Sequence, residues 1–154
     1  MAPHSDGGAT MIQIGLNSMN RTILIVEDSG QCRKILEMTF AGISGVLIEA
    51  VETAEDALRE LRSGKVCALV TDLRLPQMSG FDLIEFVRSE DGFAKLPVLV
   101  VSGERSQDTQ ARVMALGADS FFAKPFYPSA VRGELLRLIG NPEAQSAGTS
   151  AGQS

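Results

Sequence analysis

Side chains that can do chemistry follow several short apolar runs of this sequence. Asp72 comes just after the run CALV at positions 67–70, the pair Glu27 and Asp28 follows TILIV, and Ser102 and Lys124 follow two further runs. A short apolar run between chain breakers is typical of a strand buried on both faces, as in a parallel sheet. The carboxyl ends of parallel strands share one edge of the sheet, where ligands bind. We therefore expect three acids, a hydroxyl and an ammonium to converge at that edge.

This set of groups suits phosphoryl transfer. Three carboxylates packed together repel one another unless a cation is present. A Mg²⁺ ion held by one or two carboxylates and by phosphate oxygens would remove that conflict. Asp72 could then act as a nucleophile toward a phosphoryl group and form an acyl phosphate, while Ser102 and Lys124 stabilise the charge on the transferred oxygens.

Each of these residues also has an ordinary structural explanation. Asp28 could cap the first helix, and Asp72 could be a turn former. Ser102 before a glycine is common loop composition, and Lys124 before a proline could be an exposed charge. Their occurrence at four strand ends together is what favours a functional site.

The apolar patterns alternate between strand-like and helix-like along the chain. Strands are predicted at 21–26, 46–51, 67–70, 98–101 and 120–123, and helices near 32–40, 54–61, 80–87, 106–116 and 128–139. This alternation predicts right-handed βα crossovers and a parallel sheet with helices on both faces, an α/β fold. The helix at 106–116 has a thin apolar stripe, so we expect it to be loosely held.

Particular residues support three of the predicted helices. At helical spacing, the first helix has the apolar residues Cys32, Ile35, Leu36 and Phe40, and the last has Val131, Leu135, Leu138 and Ile139 on its inner face. Ser79 and Asp82 have the spacing of a capping pair at the start of the third helix.

Composition excludes several classes of protein. With 154 residues and a net charge of −5, the chain suggests one acidic domain, and we expect it to bind no nucleic acid. No basic signal region and no apolar run of membrane-spanning length are present, which predicts a cytoplasmic protein that does not bind a membrane. Cys32 and Cys67 are far apart and the single histidine is His4, so we expect two buried, reduced thiols and no zinc site.

The ends of the chain differ in composition from its centre. We predict a flexible leader at 1–20, a domain at 21–140 and a disordered tail at 141–154. Met11 or Met19 could be the natural start. Because no pattern for an effector domain follows Ile139, we expect a stand-alone domain.

Residues 21–140 resemble the receiver domain of two-component response regulators. The matching features are the Glu27–Asp28 pair, DLRLP at 72–76 followed by Gly80, Ser102, GADSFF at 117–122 and KPF at 124–126. The resemblance implies a flavodoxin-like (βα)5 fold, doubly wound, with a five-stranded parallel sheet in the order 2-1-3-4-5. It also implies a signalling protein that catalyses its own aspartyl phosphorylation and dephosphorylation, rather than an enzyme acting on outside substrates.

The resemblance implies a role for each acid. Asp72 would take a phosphoryl group from a sensor histidine kinase or a histidine phosphotransfer protein. Asp28, Asp72 and the backbone carbonyl of Arg74 would bind Mg²⁺ directly, and Glu27 would act through water. Glu27 stands where the family more often has aspartate, which should alter its reach.

The resemblance further implies a switch pair, Ser102 and Phe121. The hydroxyl of Ser102 would move to the phosphoryl group while the Phe121 ring turns inward, although Phe121 could also be a plain core residue. Phe121 lacks the hydroxyl of the commoner tyrosine. The Lys124–Pro125 bond is often cis in the family. Output would be protein binding by the face of the fourth helix, fifth strand and fifth helix, from a monomer or a phosphorylation-dependent dimer.

One hypothesis and three alternatives complete these expectations. A salt bridge between Arg74 and Glu104 could screen the acyl phosphate from water and lengthen its life. The alternatives are a phosphorylation-independent protein-binding module, a flavodoxin-like electron carrier and an Mg²⁺ phosphatase. The acids that follow the first strand argue against a flavin phosphate at that position.

Overall fold

Five parallel strands form one sheet in the part of the chain that the computed structural model describes, residues 21–140. The strands are β1 (Arg21–Val26), β2 (Val46–Val51), β3 (Val66–Thr71), β4 (Val98–Ser102) and β5 (Ser120–Ala123). Their order is β2-β1-β3-β4-β5, which confirms the predicted topology. The predicted leader at 1–20, with His4 and the alternative start methionines, and the predicted tail at 141–154 lie outside the described residues.

A helix follows each strand. The helices are α1 (Gly30–Phe40), α2 (Ala54–Leu61), α3 (Gly80–Ser89), α4 (Gln107–Leu116) and α5 (Pro128–Leu138). Serine or threonine hydroxyls cap the amino ends of the first four helices, and Ser79 forms a full capping box with Asp82. No helix within residues 21–140 is long and apolar enough to cross a membrane.

The sheet has a separate apolar core on each face, as a doubly wound fold requires. Alternation along β1 directs Leu24 and Val26 toward α2, α3 and α4, and Ile23 and Ile25 toward α1 and α5. All four side chains are fully buried. Packing on both faces holds the strands firmly, and the carboxyl ends of the strands therefore form a fixed platform.

One predicted core position is wrong. The spacing of apolar residues predicts Ile35 on the buried face of α1, but its side chain is 41% exposed, because Leu36, Thr39 and Phe40 fill the narrow stripe that this helix presents. In α5, Leu136 is buried although the spacing did not select it, and Ile139, directly after the helix, packs half-buried against the same core as predicted. The extent of a buried stripe depends on how a helix lies on the sheet, which a local pattern does not specify.

The two cysteines are free, as expected, but neither is fully buried. Cys32 on α1 and Cys67 on β3 both have intermediate exposure. The prediction of two buried thiols is therefore corrected. Cys67 lies at the amino end of its strand, and Cys32 lies in the first turn of its helix. Such positions near element ends are less completely covered than strand centres.

Candidate functional site

Three carboxylates and one ammonium meet at the carboxyl edge of the sheet. Glu27 and Asp28 follow β1 and Asp72 follows β3, and one oxygen from each lies within 4.8 Å of the others. Lys124 follows β5, and its Nζ lies 2.7 Å from Glu27 Oε1 and 2.9 Å from Asp72 Oδ2. The structure thus brings together the four charged groups that the sequence placed at strand ends.

The carboxylate of Asp72 is held on both oxygens. The backbone N–H of Leu73 donates to Oδ1 at 2.6 Å, with the Arg74 N–H farther away at 3.4 Å, while Lys124 donates to Oδ2. Asp72 is almost fully buried, and its backbone N–H donates to Val26 O of β1 at 3.0 Å. These contacts fix the direction of the carboxylate and stabilise its negative charge.

Gly80 allows α3 to begin directly against the backbone of Asp72. A Cβ atom at position 80 would lie 2.1 Å from Asp72 O and 2.7 Å from Leu73 Cα. The Gly80 N–H donates to Leu73 O at 2.9 Å, which closes the loop between β3 and α3. The sequence singled out Gly80 only as part of the family pattern. Its close approach to Asp72 is a positioning function that becomes visible only in three dimensions.

Lys124 is an ammonium in a partly buried, acidic environment. Burial alone would lower its pKa, but hydrogen bonds to Glu27 and Asp72 outweigh that effect and raise it. Lys124 therefore keeps its charge across the physiological range. The Lys124–Pro125 peptide bond is cis, as the resemblance implies.

Cys32 is a neighbour of this cluster that the sequence did not connect with it. Burial, and then the negative charge of Glu27, raise the pKa of its thiol to about 11, and Lys124 opposes that shift. Cys32 and Lys124 also line a common cavity of about 450 Å³. Its position four residues after Asp28, in the first turn of α1, is the signal that could have pointed to it.

Glu27 and Asp28 differ in what they contact. Glu27 is buried, with Oε1 bonded to Lys124 and Oε2 accepting the Ser29 N–H at 3.1 Å. Asp28 is exposed. This arrangement leaves Asp28 more accessible to an incoming ion than Glu27, which is compatible with the implied indirect role of Glu27.

The donor set fits Mg²⁺. A hard divalent ion prefers carboxylate and carbonyl oxygens and usually keeps several waters, so it needs only a few protein ligands. The cluster of Glu27, Asp28 and Asp72 offers such oxygens within 4.8 Å of one another. Arg74 lies two residues after Asp72 in the same loop, where its backbone carbonyl would be the remaining implied ligand.

The implied switch residues occupy adjacent strands. Ser102 ends β4, is fully buried, and its Oγ accepts the Glu104 N–H at 3.0 Å. Phe121 lies on β5, opposite Val100 of β4, and packs half-buried against the core on the α2–α4 face. The Ser102 oxygen therefore accepts a local bond in this state, which leaves the O–H proton as a donor.

The predicted contact between Arg74 and Glu104 is present. Arg74 Nε donates to Glu104 Oε1 at 2.7 Å, and this hydrogen bond lowers the pKa of Glu104. The other oxygen, Oε2, accepts from Thr109 Oγ1 on α4 at 3.2 Å. The sequence did not identify Thr109, although its place three residues after the capping Ser106 is a usual position for a polar partner. Glu104 thus joins the loop after Asp72 to the first turn of α4.

Comparison with known proteins gives one consistent family. A family model described as "Response regulator receiver domain" matches residues 23–135. The chemotaxis protein CheY1 of Helicobacter pylori is 26% identical over 119 residues, which cover 77% of this chain and 96% of that protein. The structure of the chemotaxis response regulator CheY4 of Vibrio cholerae superposes with a TM-score of 0.69 at 25% identity, covering 77% of this chain and 98% of the other.

A further similar structure was solved with a metal ion. It is the receiver domain of the sensor histidine kinase PA1611 from Pseudomonas aeruginosa, described with a magnesium ion coordinated in its active site cleft. The TM-score is 0.70 at 23% identity, and the match covers 79% of this chain and 98% of that one. At this identity the likeness shows a common fold.

Proposed function

This chain belongs to the response regulator receiver family, and on that basis we propose that it takes a phosphoryl group onto Asp72 from a sensor histidine kinase or a histidine phosphotransfer protein. One observation carries the proposal: Asp72 is directed by two backbone amides and by Lys124 at the edge where Glu27 and Asp28 meet it. A buried carboxylate with its charge balanced in this way is ready to act as a nucleophile.

The transfer requires one bond to form and one to break. An oxygen of the Asp72 carboxylate bonds to phosphorus while the P–N bond of the donor phosphohistidine breaks, and the electron pair stays on the imidazole nitrogen. Asp28, Asp72 and the Arg74 carbonyl would hold Mg²⁺, with Glu27 acting through water. When bound, the ion supplies positive charge against the phosphoryl oxygens and the carboxylates.

Lys124 and Ser102 would stabilise the phosphoryl group once it is on Asp72. The Lys124 ammonium already contacts Asp72, so it stays beside the new phosphoryl oxygens without a large movement. Ser102 keeps its O–H as a donor while its oxygen accepts the Glu104 N–H, so a shift of the side chain toward the site would let the hydroxyl donate to a phosphoryl oxygen. Inward rotation of Phe121 would accompany that shift. The pair would therefore convert a local change of charge into a change of shape.

The output is protein binding by the face of α4, β5 and α5. Val113 is the buried residue of α4, while Met114 on the same helix is 42% exposed. A helix held by so little apolar contact can move when its neighbours move. We propose a cytoplasmic receiver, monomeric or dimeric on phosphorylation, which signals to a protein target and not to nucleic acid or a membrane.

The ion pair of Arg74 and Glu104 would tune the lifetime of the acyl phosphate. Both residues lie two positions beyond residues of the site, Asp72 and Ser102, and their 2.7 Å contact bridges the two loops. A bridge at this rim would hinder the approach of the water molecule that hydrolyses the acyl phosphate. Self-catalysed dephosphorylation would then be slow while the bridge is intact.

The experiment that tests the function uses a small phosphodonor. The full chain is incubated with acetyl phosphate, with and without Mg²⁺, and intact mass is measured beside Asp72→Asn and the control Asp91→Asn, an exposed acid after α3. We expect an Mg²⁺-dependent phosphoryl adduct that Asp72→Asn loses and Asp91→Asn keeps. Folded protein without an adduct would contradict the proposal and favour the phosphorylation-independent binding module.

A further inference from the structure

Arg33 is a cation directly behind the acidic cluster. Its side chain extends from the first turn of α1 and is 24% exposed. Nη1 donates to the backbone carbonyl of Glu27 at 3.0 Å, and Nη2 lies 3.7 Å from Glu52 Oε2 in the loop after β2. An arginine on a helix after two acids looks like a solvated charge in the sequence, which is why sequence analysis passed over it.

The carbonyl that Arg33 contacts lies just beyond the hydrogen-bonded part of the sheet. At this end of β1, the Glu27 N–H donates to Val51 O and Val26 O accepts the Asp72 N–H, each at 3.0 Å. The next carbonyl, that of Glu27, points to the guanidinium of Arg33. Arg33 therefore restrains the backbone at Glu27, just beyond the last hydrogen bonds that join β1 to its neighbouring strands.

The peptide unit that Arg33 restrains leads to Asp28. Because a peptide bond is planar, the direction of the Glu27 carbonyl also sets the position of the Asp28 Cα. Asp28 is exposed, so packing around its side chain restrains it little. Mg²⁺ demands near-ideal octahedral geometry, and small errors in ligand position weaken its binding.

We propose that Arg33 is a positioning residue for the metal site, which holds the Glu27–Asp28 peptide so that Asp28 faces the ion. The inference rests on the proposed magnesium-dependent function. The charge of Arg33 by itself would weaken the binding of Mg²⁺, because a cation near the site repels the ion. Glu52 beside the guanidinium offsets that charge, and solvent screens it, so the restraint on the peptide is the larger effect.

The test is a titration of the unphosphorylated full chain with MgCl2 alone, followed by the NMR shifts of the backbone amides at 72–74. Arg33→Met keeps an unbranched apolar stem of similar reach but removes the donor and the charge, and it should raise the Kd for Mg²⁺ about tenfold. Arg33→Lys can still donate once to the same carbonyl, so its Kd should lie between those of Arg33→Met and the unmodified protein.

Two variants serve as controls. Lys34→Met removes an exposed cation from the next position of α1, and Glu52→Gln removes the partner of Nη2 without touching the carbonyl contact. Both should change the Kd by less than about twofold, because solvent screens these exposed charges. Thermal unfolding without Mg²⁺ checks that Arg33→Met is folded. If it is not, Arg33→Lys compared with Lys34→Met decides the question, since only the first alters the contact to Glu27.

The outcomes separate this inference from the function on which it rests. Equal or tighter Mg²⁺ binding by Arg33→Met would overturn the positioning role and leave the proposed function intact. Failure of the unmodified protein to bind Mg²⁺ would overturn both. A weakened Kd in Arg33→Met, partly recovered in Arg33→Lys and absent from the controls, supports the role of Arg33.

Discussion

The ammonium of Lys124 lies 2.9 Å from the carboxylate of Asp72, although 52 residues separate them in the chain. The same ammonium lies 2.7 Å from Glu27, which is 97 residues away. One ammonium thus forms ion pairs with two buried carboxylates at the edge of the sheet. This relationship links the stability of the domain to the chemistry of its site.

Replacing Lys124 by methionine should destabilise the protein. The change removes the cation that Glu27 and Asp72 both contact, and Glu27 is only 1% exposed. We expect a loss on the order of 3 kcal/mol in the free energy of unfolding without metal, partly recovered with Mg²⁺ because the ion replaces the lost positive charge. Urea unfolding with and without MgCl2 measures both effects. Lys95→Met, an exposed site before β4, is the control, and equal stability of the two variants would contradict the prediction.

Gly80→Ala should damage the site through the backbone. The added Cβ would meet Asp72 O at 2.1 Å, so α3 or the loop after β3 must move. We expect a loss of about 3 kcal/mol or more and slower phosphorylation by acetyl phosphate. Gly133→Ala in α5 is the matched control, since its Cβ meets nothing within 4 Å. That variant should gain roughly 0.5–1 kcal/mol, because alanine favours helix over glycine. A well-folded, normally active Gly80→Ala protein would refute this account.

Breaking the bridge of Arg74 and Glu104 should shorten the life of the acyl phosphate. We expect Arg74→Ala and Glu104→Ala each to speed dephosphorylation by roughly twofold to fivefold, and the double variant to be no faster than either. The decay of phosphorylated protein after removal of the donor gives the rates. Arg59→Ala, which removes an exposed ion pair with Asp56 on α2, should leave the rate unchanged. An unaltered dephosphorylation rate in Arg74→Ala would contradict the hypothesis.

The same bridge should have a defined pH dependence. The hydrogen bond from Arg74 lowers the pKa of Glu104, so the carboxylate stays charged below the ordinary range of a glutamate. A group with a depressed pKa in the folded state contributes stability above its unfolded pKa and loses that contribution as the pH falls through the folded value. NMR titration of Glu104 should therefore show a lower midpoint than in Arg74→Ala. The opposite order would show that the contact is absent in solution.

The thiol of Cys32 should be unreactive near neutral pH. Its pKa is raised to about 11 by burial and by Glu27, so little thiolate is present to attack an alkylating reagent. At pH 8 we expect iodoacetamide to modify Cys32 about tenfold more slowly in the folded chain than in urea, with the folded rate rising steeply toward pH 11. Peptide mass spectrometry separates Cys32 from Cys67. A folded rate that levels off below pH 9 would rule out this environment for the thiol.

Much of the fold was predictable because its signals are local. The apolar run before Asp72, the capping pair of Ser79 and Asp82, and the valine-rich run at 98–101 each predicted an element that the structure contains. The alternation of strands and helices then left few topologies, since parallel crossovers are right-handed. The order of the strands came from resemblance to the family, and the structure confirms it.

The errors concern how far each element is covered. The spacing of apolar residues placed Ile35 on the inner face of α1, yet the side chain is 41% exposed. Cys32 and Cys67 were expected to be buried and are only partly so. Burial depends on the angle and distance at which a helix lies on the sheet, and on what reaches over the end of a strand. The spacing of apolar residues in the sequence indicates neither the packing angle of a helix nor the cover over a strand end.

The sequence by itself determined which side chains lie at the carboxyl edge, because a strand fixes the order and direction of its own residues. Only the tertiary structure decided their partners: Lys124 between Glu27 and Asp72, Arg33 on the Glu27 carbonyl, and Gly80 against Asp72 O. These contacts join different strands, helices and loops, so they depend on the packing of helices against the sheet. That packing depends on how all the side chains of both apolar cores fit together. It is a property of the whole domain, which no short stretch of sequence specifies.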